Sequence, residues 1–442
     1  MSIWEEDQRS MKRFESLRGN ITADVLVIGG GMAGLLTARL LSEAGADVVL
    51  AEQGRLCGGV TGNTTAKITS QHGLIYDKIM RKYGAKQALM YLRANENALK
   101  RYRELCGKTI ECDFEERPSF VYSLRNRAAL EAETAALNRL GYPARLVAEV
   151  PLPFHTAGAV RFPRQAQFNP LKFAAGITEG FRIFEHTKVL ELTPHRAVTD
   201  KGKIAAKAMV CATHFPFINK HGSYFLKMYQ QRSYVLALTA EKVPDLRGMY
   251  VDEAENGLSF RNYGNYLLLG GGGHRTGKPG GWRELSGFAY KYFPDLKEEY
   301  RWATQDCMTL DGIPYIGRYS ANTPDFYVAT GFNKWGMTSS MAAAQLLTDM
   351  IMGRENEFEP LFSPSRSIVR PQLALNAVEA VTNLLTPSEH RCPHMGCALK
   401  WNPQEHSWDC PCHGSRFAED GRLLDGPATG DLLHDRAKHP KA

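Results

Sequence analysis

The chain has 442 residues, of which 23% are charged and 43% apolar, enough for two or three domains with sizeable cores. Its formal net charge of +7 is spread along the sequence without a long basic cluster, so nucleic-acid binding has little support. Five cysteines (Cys57, Cys106, Cys112, Cys211, Cys307) are scattered, unlike a secreted disulfide framework, and a cytoplasmic location is expected.

Residues 1–20 are charged and carry no apolar stretch of the secretory-signal type. The most apolar segment, 23–51, is interrupted by Gly29-Gly30-Gly31, Arg39, Glu43 and Asp47, and predicts strand–turn–helix–strand and no transmembrane segment. Its strand Asp24–Ile28 leads into Gly29-x-Gly31-x-x-Gly34, a helix to Ala44 and a second strand ending at Glu52. This is the dinucleotide-binding βαβ fingerprint in its proper context. Gly29 serves the tight turn, Gly31 lets backbone approach a pyrophosphate, and Gly34 brings helix and strand together. Glu52 would accept hydrogen bonds from ribose hydroxyls, and the helix N-terminus would face the phosphates.

A Gly/Thr-rich loop with Thr61, Thr64 and Thr65 follows. Downstream come Asp311-Gly-Ile-Pro314, the strand Phe326–Thr330, Gly331, and Gly336-Met337-Thr338 opening a helix to about Met352. With these motifs the chain resembles the D-amino-acid-oxidase-like superfamily of FAD oxidoreductases, which includes glycine and sarcosine oxidases, over roughly residues 20–355. The resemblance implies an α/β fold: a Rossmann-like FAD domain of the glutathione-reductase type with an inserted α+β substrate domain. It divides the chain into 20–80, 155–220 and 305–360 for FAD and 81–154 and 221–304 for substrate. It also implies that Gly331, Gly336, Met337 and Thr338 face the N1/C2 edge of the flavin, where a helix dipole favours negative charge.

Within the inserted pieces, 84–107 predicts a helix burying Leu89, Tyr91, Leu92, Leu99 and Leu105, while 233–239 and 266–269 predict strands roofing the flavin. Gly270–Gly273 and Arg275 read as a loop, because no periodic helix follows and the fingerprint spacing fails; nicotinamide binding is not expected. No catalytic base stands out. Arg261 and Arg275 are candidates to bind a substrate carboxylate, Lys334 to stabilise charge on reduced flavin, and His72 to line the site. Asn169 is a further polar candidate. Cys307 is expected to pack and not to attach flavin covalently.

After a linker and helix over 361–385, Cys392-Pro-His394 and Cys410-Pro-Cys412-His413 offer two thiolates and two imidazoles. Zinc uses the same residue types, but neither loop has the usual C-x₂-C spacing. The match resembles the Rieske family residue by residue, so Cys392, His394, Cys410 and His413 are expected to ligate a [2Fe–2S] cluster. The resemblance also implies a disulfide between Cys397 and Cys412, a small all-β domain over 386–436, and Ser415 as a donor to cluster sulfur. Phe417 stands where high-potential Rieske proteins carry Tyr, which predicts a lower potential. The strands that normally precede the first ligand loop are missing, which predicts a minimal unit leaning on the oxidase body. Trp401 and Trp408 are read as core. Asp431, His434 and His439 mimic part of a mononuclear iron site, but the remainder of such a site is absent.

The reading is an FAD-dependent oxidoreductase with two cofactors, FAD and a [2Fe–2S] cluster. It would oxidise a small amine or amino acid and pass electrons through the cluster to an external electron-transfer partner. The alternatives are inward flow from an external donor, for substrate reduction or hydroxylation, and an electron-transfer module without its own substrate.

Overall fold

The computed structural model describes residues 2–218 and 221–432. The Ile21–Ile28 strand ends in four consecutive buried residues, as a strand covered on both faces must. It lies parallel to Lys203–Cys211 on one side and Val48–Ala51 on the other. Among the described residues this sheet has eight strands. Its main path runs from Tyr315–Arg318 through Phe326–Thr330, Lys203–Cys211, Ile21–Ile28 and Val48–Ala51 to Arg182–Phe184. The Met32–Glu43 and Gly336–Ile351 helices pack together against it, joined by a cluster that includes Leu35, Leu36, Met341 and Leu347.

A second sheet of nine strands, mostly antiparallel, stands over the first. It runs from Lys297–Thr309 through Met228–Thr239, Tyr266–Arg275, Ser259–Tyr263, Met249–Asp252, Glu115–Ser123 and Gly158–Gln167 to Lys67–Ile68. The expected domain division differs here. Gly158–Gln167 pairs along Glu115–Ser123, and Lys67–Ile68 pairs with Gly158–Gln167, so both belong to the second sheet and not to the FAD segments 20–80 and 155–220. The Lys297–Thr309 strand likewise runs past the boundary drawn at 304.

The helix expected over 84–107 spans Ala85–Lys108 and buries Tyr91, Leu92 and Leu99, with Leu89 and Leu105 half-buried. It packs on Gly336–Ile351, where Tyr102 donates to the Met337 carbonyl at 2.8 Å. The glycine run read as a loop is strand. Gly270–Gly273 lies inside Tyr266–Arg275, opposite a register shift between Arg232 and Tyr234, and Gly272 has φ +61°. Glycine at a bulge explains why the run does not end the strand.

The last unit is a four-stranded antiparallel meander, Lys400–Asn402, Ser407–Asp409, Arg416–Ala418 and Leu423–Asp425. Among the described residues no strand lies between Thr330 and Lys400, apart from an isolated Arg391–Ala398 bridge, so the unit is as short as expected. Its core is built on Cys392, Cys397, Leu399, Cys410, Cys412, Phe417 and Ala428. Trp408 packs against that core, whereas Trp401 is 37% exposed and is not core.

Candidate active site

A cavity of about 910 Å³ opens between the two sheets. At its floor Gly29 turns with φ +108°, a conformation that favours glycine, and a Cβ there would come within 2.7 Å of the Ala212 carbonyl. A Cβ on Gly34 would strike the Gly29 carbonyl, so this glycine sets the helix–strand approach and lies outside the cavity. Gly31 precedes the Met32–Glu43 helix without a side-chain cap of its own, leaving N–H groups for an anion. Thr61 accepts the Met32 N–H at 3.1 Å. Glu52 accepts the N–H groups of Gly30 at 2.6 Å and Gly54 at 2.8 Å. Burial pushes the Glu52 carboxyl up, against those backbone donors. Gly29, Gly31, Glu52, Thr61, Thr64 and Thr65 all line the cavity.

The opposite end is formed by Gly331, Lys334, Gly336 and Met337, at the uncapped N-terminus of the 16-residue Gly336–Ile351 helix. Lys334 is held at φ +72° near Asp306 and Glu255; burial pushes its ammonium pKa down, and the two carboxylates oppose that shift. Thr338, expected here, is turned away. It donates to the Thr69 carbonyl at 2.8 Å and accepts the Thr69 N–H at 2.9 Å, fastening the helix to the neighbouring loop.

Three other expectations are corrected. His72 is buried with both ring nitrogens engaged, Nδ1 to the Tyr91 hydroxyl at 2.6 Å and Nε2 to the Thr69 carbonyl at 2.7 Å. It does not line the cavity; instead it stacks, centroid to centroid at 5.0 Å, on Trp335, which does. Arg261 is fully buried between Trp4 and Tyr263, with ring centroids 5.9 and 5.5 Å away. Its Nη1 lies 3.3 Å from the Ala66 carbonyl, while its Nε and Nη2 have no hydrogen-bond partner among the described residues. Arg275 points to the other side of its strand, donating to the Pro411 carbonyl at 2.9 Å and the Cys412 carbonyl at 3.1 Å. Asn169 caps the Pro170–Ala175 helix. Cys307 is buried and lines the cavity, and its thiol pKa is driven up by burial, the opposite of an activated thiolate.

Lys67, His214 and Asp306 were not singled out as site residues; Lys67 closes the Gly/Thr-rich loop, and no motif surrounds the other two. Lys67 reaches Ser259 Oγ at 3.4 Å within the cavity wall; burial, reinforced by nearby Arg261, pulls its pKa down to about 7. His214 (φ +65°) also lines the cavity, with Nε2 buried and unpartnered among the described residues.

The two cysteine–histidine loops turn at Gly396 (φ +78°) and Gly414 (φ +86°) and are tied by the Cys397–Cys412 disulfide. With Cys397 and Cys412 in that bond, Cys392 and Cys410, whose thiols face each other, are the free cysteines of the two loops. The His394 and His413 rings lie edge to face with centroids 5.0 Å apart. His413 Nδ1 is buried without a hydrogen-bond partner. Two thiols and two imidazoles, one with an orphaned nitrogen, suit the Cys₂His₂ ligand set of a Rieske centre. Ser415 sits beside Cys392 and accepts the Ala428 N–H at 2.9 Å. Asp431 Oδ1 accepts the Leu423 N–H at 2.8 Å; His434 and His439 lie outside the described residues.

This unit is docked through polar contacts. Gln230 donates to the carbonyls of His413 (2.8 Å) and Gly426 (3.1 Å), and Gln305 to that of Gly414 (2.8 Å). Arg232 and Arg416 share the buried Glu405 carboxylate. The segment 423–431 forms part of the wall of the large cavity.

Residues 24–350 match the family of FAD-dependent oxidoreductases abbreviated DAO. The chain belongs to this family. Residues 368–434 match the Rieske [2Fe-2S] domain, so this family member carries FAD and a [2Fe–2S] cluster. The chain is 33% identical to YhfW of Bacillus subtilis (strain 168), whose name gives it provisionally as a Rieske 2Fe-2S iron-sulfur protein; the match covers 95% of this chain and 94% of that one. It is 27% identical to gamma-glutamylputrescine oxidoreductase of Escherichia coli (strain K12), over 78% and 87% of the two chains. Glycine oxidase from Geobacillus kaustophilus shares the fold, with a TM-score of 0.64 at 20% identity, covering 78% of this chain and 99% of that one. The FAD oxidoreductase fold thus accounts for the two large sheets and the Rieske domain for the meander. No helix among the described residues is long and apolar enough to cross a membrane.

Proposed function

We propose that the protein oxidises a small amine or amino acid and sends the electrons outward through its Rieske centre to an external acceptor. The observation that carries this reading is the shared wall: 423–431 of the cluster unit lines the same cavity as Gly331, Lys334 and Gly336. When bound, FAD takes two electrons from a C–N bond and the cluster passes electrons singly.

The chain's own residues supply binding and orientation. Glu255 and Asp306 offer negative charge to a substrate ammonium, and Lys67 offers a cation to a carboxylate, all from the cavity wall. Lys334, beside those two carboxylates, and the N-terminus of Gly336–Ile351 add positive potential to the same wall. Trp335, braced by His72, gives the cavity an aromatic wall. The name of the gamma-glutamylputrescine oxidoreductase relative supports an amine class. Of the expected substrate-binding arginines, neither reaches the cavity, so Lys67 takes that role in this reading.

The test is an anaerobic titration of the holoprotein with amines and amino acids, following flavin and cluster bands separately. Bleaching of the flavin and then the cluster by one of them supports the reading. If no amine acts while a reduced ferredoxin-type donor fills the cluster first, electrons run inward and the assignment fails.

A further inference from the structure

The Pro371–Leu385 helix is built inside out. Gln372, Asn376, Glu379 and Asn383 recur at i, i+4, i+7 and i+11 and face the protein. Asn376 accepts from Arg275 at 2.8 Å, Glu379 pairs with Lys278 at 2.8 Å, and the Asn383 carbonyl accepts the Ala398 N–H at 2.9 Å. The outward half carries Leu375 (60% exposed), Val378 (65%), Val381 (55%) and Leu385 (77%), and its one polar residue is Thr382. Amphipathic helices normally bury the apolar half; here the polar half is used to hold the cluster unit, and the apolar half is left facing water.

The charge around this face is predominantly positive. Within 363–400 the acids are Glu379, turned inward, and Glu389, against Arg370, Arg391 and Lys400, while Arg366 is paired with the buried Asp311. Arg370, just before the helix, donates to the Tyr83 hydroxyl at 2.8 Å, which brings it beside Lys82 and, one turn away, Lys78. Arg391 closes the other end, donating to the carbonyls of Leu384 (3.2 Å) and Thr386 (3.0 Å). The area argues against a protein partner. A 15-residue helix is about 22 Å long and about 10 Å wide, a footprint of roughly 220 Å², far below the ~800 Å² per side of a stable protein interface. A bilayer needs no complementary partner surface, only an apolar face rimmed by cations.

We propose that the outward face of the Pro371–Leu385 helix docks the protein on an anionic lipid surface. The helix lies in the interface plane, with Leu375, Val378, Val381 and Leu385 in the acyl boundary and Arg370, Arg391, Lys78 and Lys82 at the headgroups. Leu384 packs beside Gly396, so docking brings the loop holding His394, with Met395 44% exposed, to the lipid surface.

The experiment is flotation of the holoprotein with vesicles of phosphatidylcholine alone or of phosphatidylcholine with phosphatidylglycerol. Binding is expected only to the anionic vesicles, weakened by raising salt and reduced about tenfold or more by the double variant Val378→Asp, Val381→Asp. Flavin and cluster absorbance report whether that variant is folded; the Lys78→Gln, Lys82→Gln variant, which leaves the helix intact, should also weaken binding. Absence of binding, equal binding to neutral vesicles, or a concentration-dependent dimer that the aspartates abolish overturns the proposal.

Discussion

His72 illustrates how a motif-adjacent histidine can serve the site without entering it. Its Nε2 faces a carbonyl and must carry the proton, so Nδ1 accepts from Tyr91 and the ring is neutral. Burial holds its pKa down at about 3, against an ordinary value of 6.5. Because the folded value lies below the unfolded one, the unfolded chain binds the extra proton between these limits. Stability is therefore untouched above about pH 6.5 and falls as pH drops toward 3, by at most about 5 kcal/mol. Urea unfolding of the wild type and His72→Asn from pH 8 to 4 should show the wild type's advantage shrinking below pH 6.5; parallel curves would remove His72 as the cause. At this scale the sequence was legible where chemistry is local. The Gly29–Gly34 spacing and the two cysteine–histidine loops act through neighbours a few residues away. Arg261 and Arg275 were misplaced because strand alternation and a bulge decide which side of the second sheet a side chain faces, and neither shows in residue type.

Among the elements, the Met228–Thr239 strand does the most to join the two redox units. Gln230 and Arg232 alternate along it with Gln231, so one face reaches the cluster loops while the other reaches the cavity. Arg232 and Glu405 are both nearly buried, and removing one partner of such a pair costs about 3–5 kcal/mol locally. Arg232→Met should loosen the cluster unit while leaving the cavity residues borne by the two large sheets in place. In stopped-flow reduction, flavin bleaching by substrate should keep its wild-type rate while cluster bleaching slows about tenfold or more; equal slowing of both would show that the strand supports the cavity itself. These contacts span 173 to 183 residues of sequence, which is why the reading foresaw a cluster unit leaning on the body but not which residues it leans on. The helix at Pro371–Leu385 was legible as a helix. Its inverted orientation was not, since periodicity gives two faces and does not say which one is covered.

At the scale of the whole molecule, the two sheets and the meander enclose one cavity whose walls come from segments far apart in sequence. The glycine turn at Gly29 lies on one wall and the segment 423–431, far along the chain from it, on another. The cluster unit thus acts as a latch on one wall of the cleft, and weakening its hold on the body is expected to ease the entry of flavin. Flavin-free protein should take up added FAD several-fold faster when the latch is weakened, as in Arg232→Met, which quenching of FAD fluorescence would follow; identical uptake rates would mean that the cleft admits FAD from another side.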